Sequence, residues 1–245
     1  MARLHVDGER MVEDAVVITD EDHHYLTRVL RLGPGDAVTL FDGQGGEAEA
    51  ELVRVGPRAT EARVLARRRV ERPKGPHLTL VQALARGEKL DLVVQKATEL
   101  GVHRIIPVTT SRSLPTPDLL RSSSRRERWQ KIAREAARQC GRADLPEIEP
   151  VTSFALAVAA APRDALKLLF WEGARAFGLK LALPATAPAE VVLVVGPEGG
   201  FAEAEVSRAR EAGFAVVGLG PRILRTETAA LAVLAIVNFA VGDLG

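Results

Sequence analysis

Cysteine, tyrosine and asparagine each occur once in this 245-residue chain, and aromatic residues make up only 4% of it. One thiol, Cys140, excludes an intramolecular disulfide. The five histidines are scattered; His23 and His24 are the only neighbours, and nothing has metal-ligand spacing, so no metal is expected. There is no G-x-x-x-x-G-K-[ST], which excludes a P-loop nucleotidase. There is no G-x-S-x-G elbow and no Cys/His nucleophile pair either, so acyl-transfer chemistry is not expected. No apolar core follows the initiator methionine, and the longest apolar run, Ala229–Val237, is too short to span a bilayer. The expected setting is the cytosol, with no membrane partner.

What the chain does have is an uneven charge. Residues 1–72 carry a net −3, residues 73–142 a net +8 and residues 143–245 a net −4. A concentrated basic middle points to a polyanionic partner, RNA or DNA.

Residues 1–72 read as all-β. Ala15–Thr19, Ala37–Phe41, Glu47–Val55 and Thr60–Ala66 are short β-prone segments separated by Gly- and Pro-rich turns, the pattern of a small barrel. A helical turn around Asp22–Leu30 interrupts them, and His24, Arg28 and Arg31 on it form a candidate contact face. The stretch Arg67–Pro76 reads as a boundary. Beyond it, strands at Leu78–Leu84, Arg104–Val108, Leu166–Trp171, Val191–Val195 and Phe214–Leu219 alternate with helices at Glu88–Leu100, Ser124–Cys140, Ala202–Ala212 and Thr226 to about Val241. That alternation predicts a mostly parallel sheet with helices on both faces over 73–245. Ser124 and Glu127 form a capping box; the helix after it separates an apolar stripe, which includes Cys140, from a basic one of Lys131, Arg134 and Arg138. The last helix is apolar nearly all round and must be buried, in its own sheet or against a second copy of the chain.

Two strands run into Gly-Pro: Val195-Gly196-Pro197-Glu198-Gly199-Gly200 and Leu219-Gly220-Pro221. In open α/β sheets ligands sit beyond the carboxyl ends of strands, where glycine lets the backbone approach closely. Gly-Pro-Glu-Gly-Gly is not G-x-G-x-x-G, so a nicotinamide is not expected; loops lined by Leu, Ile and Val suit a weakly charged, adenosine-sized ligand.

The sequence Val195-Gly196-Pro197-Glu198-Gly199-Gly200-Phe201, followed by Leu219-Gly220-Pro221-Arg222-Ile223-Leu224-Arg225-Thr226-Glu227-Thr228-Ala229, resembles the RsmE family of the SPOUT superfamily, as do His23–Val38, Gln95–Val102 and Gln139–Arg142. The resemblance implies a PUA-like β-barrel over 1–72 and a SPOUT α/β domain over 73–245 with a trefoil-knotted, mostly parallel sheet, working as a homodimer. It implies S-adenosylmethionine as cofactor, held by Phe170, Trp171, Glu172, Leu193, Val195, Gly196, Pro197, Glu198, Gly199, Gly200, Leu219, Gly220, Ile223, Leu224, Arg225, Thr228 and Ala229. The implied reaction is methylation of uridine N3 in 16S ribosomal RNA, at uridine 1498 by family analogy, on free RNA or the assembled small subunit. Two alternatives stay open: a SPOUT enzyme acting on another RNA such as transfer RNA, and a non-catalytic RNA-binding assembly factor.

N3 lies on the Watson–Crick edge, so the base must be unpaired or extruded, and N3 must lose its proton. Arg225 is the first catalytic candidate, as a cation stabilising charge on the uridine oxygens; Glu198 or Glu227 could take the proton. Candidate RNA contacts are Arg3, His24, Arg28, Arg31, Arg86, Lys89, Arg125, Lys131, Arg134 and Arg138.

Overall fold

Apolar residues alternate with exposed ones along Ala15–Thr19: Val16 and Ile18 are buried, their neighbours are not. Side chains on a strand alternate faces, so such a segment offers one face to a core and one to water. In the computed structural model, which describes residues 2–71, 74–113, 119–174 and 178–244 (119–122 by backbone only), that segment belongs to the first of two compact units. The first unit is Met1–Arg72 with Arg134–Leu145, the second Pro73–Ala133 with Pro146–Gly245. The expected break at 72/73 lies outside the described residues.

The first unit contains β1 (Ala2–His5), α1 (Gly8–Met11), β2 (Ala15–Thr19), α2 (Asp20–His24) continuing as a π-helical turn over Tyr25–Val29, β3 (Ala37–Phe41), β4 (Gly46–Val55) and β5 (Ala59–Arg69). The strand order is β1-β3-β4-β5-β2, and only the β1–β3 pair is parallel. Leu4 from one end strand and Val16 and Ile18 from the other share a core with Val38, Leu40, Leu52 and Ala62. A sheet whose two ends bury residues in one core curls around it, as small barrels do. β5 outruns its expected end because the arginines read as a linker serve their neighbours. Arg67 donates to the carbonyls of Met11 and Glu13, both at 2.7 Å, and Arg68 pairs with Glu47 at 2.7 Å.

The second unit holds β6 (His77–Ala83), α3 (Lys89–Glu99), β7 (Arg104–Thr109), α4 (Leu119–Cys140, whose last turns belong to the first unit), β8 (Glu147–Ile148), β9 (Thr152–Ser153), α5 (Phe154–Ala159), β10 (Leu166–Phe170), α6 (Leu179–Ala182), β11 (Glu190–Val195), α7 (Glu203–Glu211), β12 (Ala215–Val217) and α8 (Thr226–Val241). All seven strands pair in parallel, in the order β12-β10-β11-β6-β7-β8 with β9 also on β7. The apolar run of β11 is buried on both faces. Val191, Leu193 and Val195 join the cluster packed by α3 and α8, while Val192 and Val194 join the one packed by α5 and α7. Pro107 has no N–H to give the ladder, and β7 changes partner around it: Ile105 pairs with Ile148 of β8, Val108 with Thr152 of β9.

Three expectations are corrected. Helix α4 begins at Leu119, so Ser124 and Glu127 lie inside it and form no cap. Leucine and arginine ahead of the serines are good helix formers and carry the helix upstream. Thr226 is the first residue of α8 rather than its cap; Arg225 stands in the cap position. Cys140 is exposed: it is the last residue of α4, and the buried stripe ends before it at Ala136 and Ala137. Among the described residues no helix is long and apolar enough to cross a membrane.

Candidate functional site

Parallel register sets the site. Phe170 of β10 lies opposite Val195 of β11 and Val217 of β12, so three strands end level and their loops leave from one edge. Trp171 N donates to Val217 O at 3.0 Å, tying the first loop to the third strand. The loops 171–174 and 196–202 touch at Gly200, which has φ +67; a Cβ there would sit 2.2 Å from Glu172 Oε1. A side chain there would push the Glu172 carboxylate aside and hold a left-handed backbone angle that favours glycine. Gly196 is also closely approached, with the Phe201 ring 3.0 Å from where a Cβ would stand. Gly220, at φ +90, has nothing within 4 Å of its Cβ position, so the backbone of the third loop is open on that side.

The second loop is held from four directions. Gly200 N closes a turn on Pro197 O at 3.0 Å, and Arg112 donates to Gly199 O at 2.9 Å. Lys89 pairs with Glu198 Oε1 at 2.8 Å, and Arg86 N donates to the same oxygen at 3.0 Å. Thr226, at the start of α8, donates to Gly196 O at 2.5 Å. Burial would raise the Glu198 carboxyl, but the hydrogen bonds from Lys89 and Arg86 and the charge of Lys89 outweigh it. The group is held below the ordinary carboxylate range.

Of the residues expected to hold a ligand, Trp171, Glu172, Gly196, Pro197, Glu198, Gly199, Gly200, Leu219, Gly220, Ile223, Leu224 and Arg225 lie on the three loops, and Thr228 and Ala229 on the first turn of α8. Phe170, Leu193 and Val195 are strand residues at most 6% exposed, their side chains in the core, so only their backbone can reach a ligand. Ile223 is 83% exposed, an apolar side chain with no protein cover. Arg225 is exposed and makes no side-chain contact among the described residues. Glu227 is half-buried with Oε2 enclosed and unpartnered. One neighbour escaped the sequence reading. Gln82 of β6, opposite Val195 and 1% exposed, donates to Thr226 Oγ1 at 2.9 Å. Its signal was a lone amide in a strand otherwise buried on both faces, since buried polar groups need a partner.

The expected RNA contacts divide. His24, Arg28, Arg31, Arg86, Arg125, Lys131 and Arg134 are exposed. Arg3 is turned inward: it pairs with Glu47 at 2.6 Å, donates to Arg142 O at 3.0 Å and covers the Phe41 ring. Arg138 stacks on Tyr25 at 4.1 Å and pairs with Glu135 and Asp22. Lys89 is spent on Glu198. Arg3, Arg138 and Lys89 are thus already engaged by carboxylates and rings in their own unit.

Comparison with known proteins gives this edge its context. Residues 72–238 match the model of an RNA methyltransferase domain, and residues 18–65 that of an RNA methyltransferase PUA domain. The chain is 34% identical to the ribosomal RNA small subunit methyltransferase E of Bacillus subtilis, across 94% of this chain and 93% of that one. It is 36% identical to the Mycobacterium tuberculosis protein of the same name, across 91% and 86%. The crystal structure of that enzyme from Neisseria gonorrhoeae, bound to S-adenosyl methionine, superposes with a TM-score of 0.90 at 34% identity over the full length of both chains. A Legionella pneumophila methyltransferase in complex with the same cofactor superposes at 0.89, with 34% identity over 99% and 98%. With both family models matched in order and relatives above 30% identity along nearly its whole length, the chain belongs to the ribosomal RNA small subunit methyltransferase E family.

Proposed function

We propose that this protein methylates N3 of one uridine in 16S ribosomal RNA, uridine 1498 by family analogy, with S-adenosylmethionine held at the three loops. The reading includes a trefoil-knotted cofactor site, a homodimer, a cytosolic setting, and an RNA-positioning role for residues 1–72. The observation that carries it is the meeting of the three loops at one sheet edge, with the exposed Arg225 guanidinium, unpaired among the described residues, on the last of them.

The residues fit such a ligand. Gly220 leaves backbone open where a side chain would stand, and Ile223 offers an apolar surface with no protein cover. Leu219 and Leu224 are partly buried beside them. A weakly charged adenosine-sized molecule is suited to backbone groups and apolar side chains. Bound S-adenosylmethionine supplies an electrophilic methyl group on a sulfonium.

The protein's own residues do the rest. Uridine N3 is a weak acid, and its lone pair becomes available once the proton has left. Arg225 stabilises the negative charge that then spreads onto the two carbonyl oxygens. Glu198 is bound to Lys89 and held ionised at low pH, which makes it a poor proton acceptor and a loop anchor instead. Glu227, half-buried on the first turn of α8, is the remaining candidate acceptor.

The test is incubation of the purified protein with S-adenosylmethionine and small ribosomal subunits from cells lacking its gene, followed by primer extension. N3-methylation blocks base pairing and stops reverse transcriptase. A new cofactor-dependent stop near the 3′ end of 16S RNA is expected. Cofactor binding without that stop would move the substrate to another RNA; no cofactor binding would leave an RNA-binding assembly factor.

A further inference from the structure

Gln82 Nε2 donates to two acceptors, Ala83 O at 3.1 Å and Thr226 Oγ1 at 2.9 Å. Its orientation is fixed by its neighbours. A carbonyl can only accept, so Gly196 O takes the single proton of the Thr226 hydroxyl, at 2.5 Å. That hydroxyl must in turn accept from Gln82, and Ala83 O needs a donor as well. Both demands put the NH2 end of the amide toward Thr226 and leave Oε1 buried without a partner. A fully buried amide that leaves one oxygen unsatisfied is held there by what its other end does.

That other end reaches two of the three loops. Gly196 opens the loop after β11, and Thr226 follows directly on the loop after β12. The chain Gln82–Thr226–Gly196 therefore runs from a rigid central strand, through the first residue of α8, to the first residue of the glycine-rich turn. With the Phe201 ring closing on Gly196 from another side, the Gly196 peptide has no freedom to turn.

We propose that Gln82 is a positioning residue for the cofactor site: through the Thr226 hydroxyl it orients the Gly196 carbonyl and locks the loop 196–200 to the start of α8. This rests on the proposed cofactor site. It adds a residue distant in sequence from both loops, and a relay built of neutral groups only. Since neither an amide nor a hydroxyl titrates near neutrality, its contribution is independent of pH between about 6 and 9.

The test uses the full-length protein and measures S-adenosylmethionine binding by calorimetry, beside thermal unfolding. Gln82→Leu, Thr226→Val, their double variant and Thr226→Ser are compared with the unaltered chain. Each of the first two should weaken cofactor binding by about tenfold, equally across that pH range; each leaves a buried polar group unpaired, so thermal midpoints should fall by a few degrees with the protein still folded at the binding temperature. The double variant should be no worse than the weaker single, because both break one chain. Thr226→Ser, which keeps the hydroxyl, should bind nearly as the unaltered protein does. Affinities within about twofold of the original in Thr226→Val, or losses that multiply in the double, would overturn the relay. Should Gln82→Leu fail to fold, Thr226→Val against Thr226→Ser decides alone. If the unaltered protein binds no cofactor, the site itself is misassigned and the relay falls with it; if it binds and the variants bind equally, only the relay falls.

Discussion

At the scale of single residues, two charged groups on the loops, Glu198 and Arg225, have different work, and kinetics separates them. Glu198 accepts from Lys89 and Arg86 and is already ionised well below neutrality. Glu198→Gln keeps its shape and the backbone contact, so the pH profile of turnover above about pH 5 should be unchanged, with a loss of less than tenfold. A general base would show a fall of about a hundredfold or more and the disappearance of a pKa from the profile. Among the described residues Arg225 has no hydrogen-bonded or ion-paired partner to leave stranded. Arg225→Ala should therefore leave the thermal midpoint unchanged while lowering kcat on small subunits by about a hundredfold. Cofactor affinity should be much less affected, because the charge that Arg225 meets develops on the uridine. Equal turnover in Arg225→Ala would remove it from the chemistry.

At the scale of elements, the tie that joins β1, β4 and β5 is an acid-labile one. Glu47 of β4 is 2% exposed and lies between Arg3 of β1 and Arg68 of β5. Burial acts to raise its pKa, yet hydrogen bonds from Arg68 and Arg3 outweigh that, and the folded value falls below the ordinary 4.5. A carboxyl whose pKa is depressed by folding stabilises the fold fully above its unfolded value and loses that contribution as pH falls through the folded one. Urea unfolding of the intact chain should accordingly show stability falling below about pH 4.5, and Glu47→Gln should flatten that fall. Arg3→Ala leaves Glu47 with the more exposed Arg68 alone and should cost about 2 kcal/mol at neutral pH. RNA affinity should be unmoved; a fall in RNA binding with stability intact would return Arg3 to the contact surface. The same element-scale logic marks what was legible in the sequence. Val191–Val195 announced a strand buried on both faces, and the apolar run after Thr226 announced the last helix, though not its cap, since period and composition are local properties. Arg3, Arg138 and Lys89 could not be told from unpaired cations, because a sequence shows a cation but not the carboxylate or ring that folding brings to it. Gln82 and Thr226 are 144 residues apart, and only the parallel register makes them partners.

At the scale of the whole molecule, the net +8 of residues 73–142 is not a free basic surface. Arg104 is tied to Glu149, Arg142 to Asp144 and Lys89 to Glu198, carboxylates from outside that stretch, so part of the excess charge is neutralised where it stands, and Arg128 and Lys96 are held by Glu88, Asp91 and Glu99 within it. The exposed cations left for an RNA backbone are fewer and spread over both units, which argues for a modest number of phosphate contacts and a correspondingly modest salt slope. What the molecule leaves unexplained on its own is helix α8. Its buried face packs into the second unit's core through Ala230, Val233, Leu234 and Val237, yet Ile236 is 45% and Phe239 69% exposed, three residues apart on the opposite side. Neighbours at that spacing share one helix face, and a phenylalanine in water is costly enough to mark a contact surface. The proposed homodimer would cover them with a second copy of the same face, as a two-fold axis requires. Phe239→Glu puts a charge on that face without touching the core. Sedimentation should show the unaltered chain as a dimer and the variant as a monomer at micromolar concentration, with its thermal midpoint then depending less on protein concentration. If Arg225 and Thr228, on the same side of α8, work beside the dimer contact, turnover should fall with the dimer and return at high protein concentration. A variant that stays dimeric would place the contact elsewhere on the chain.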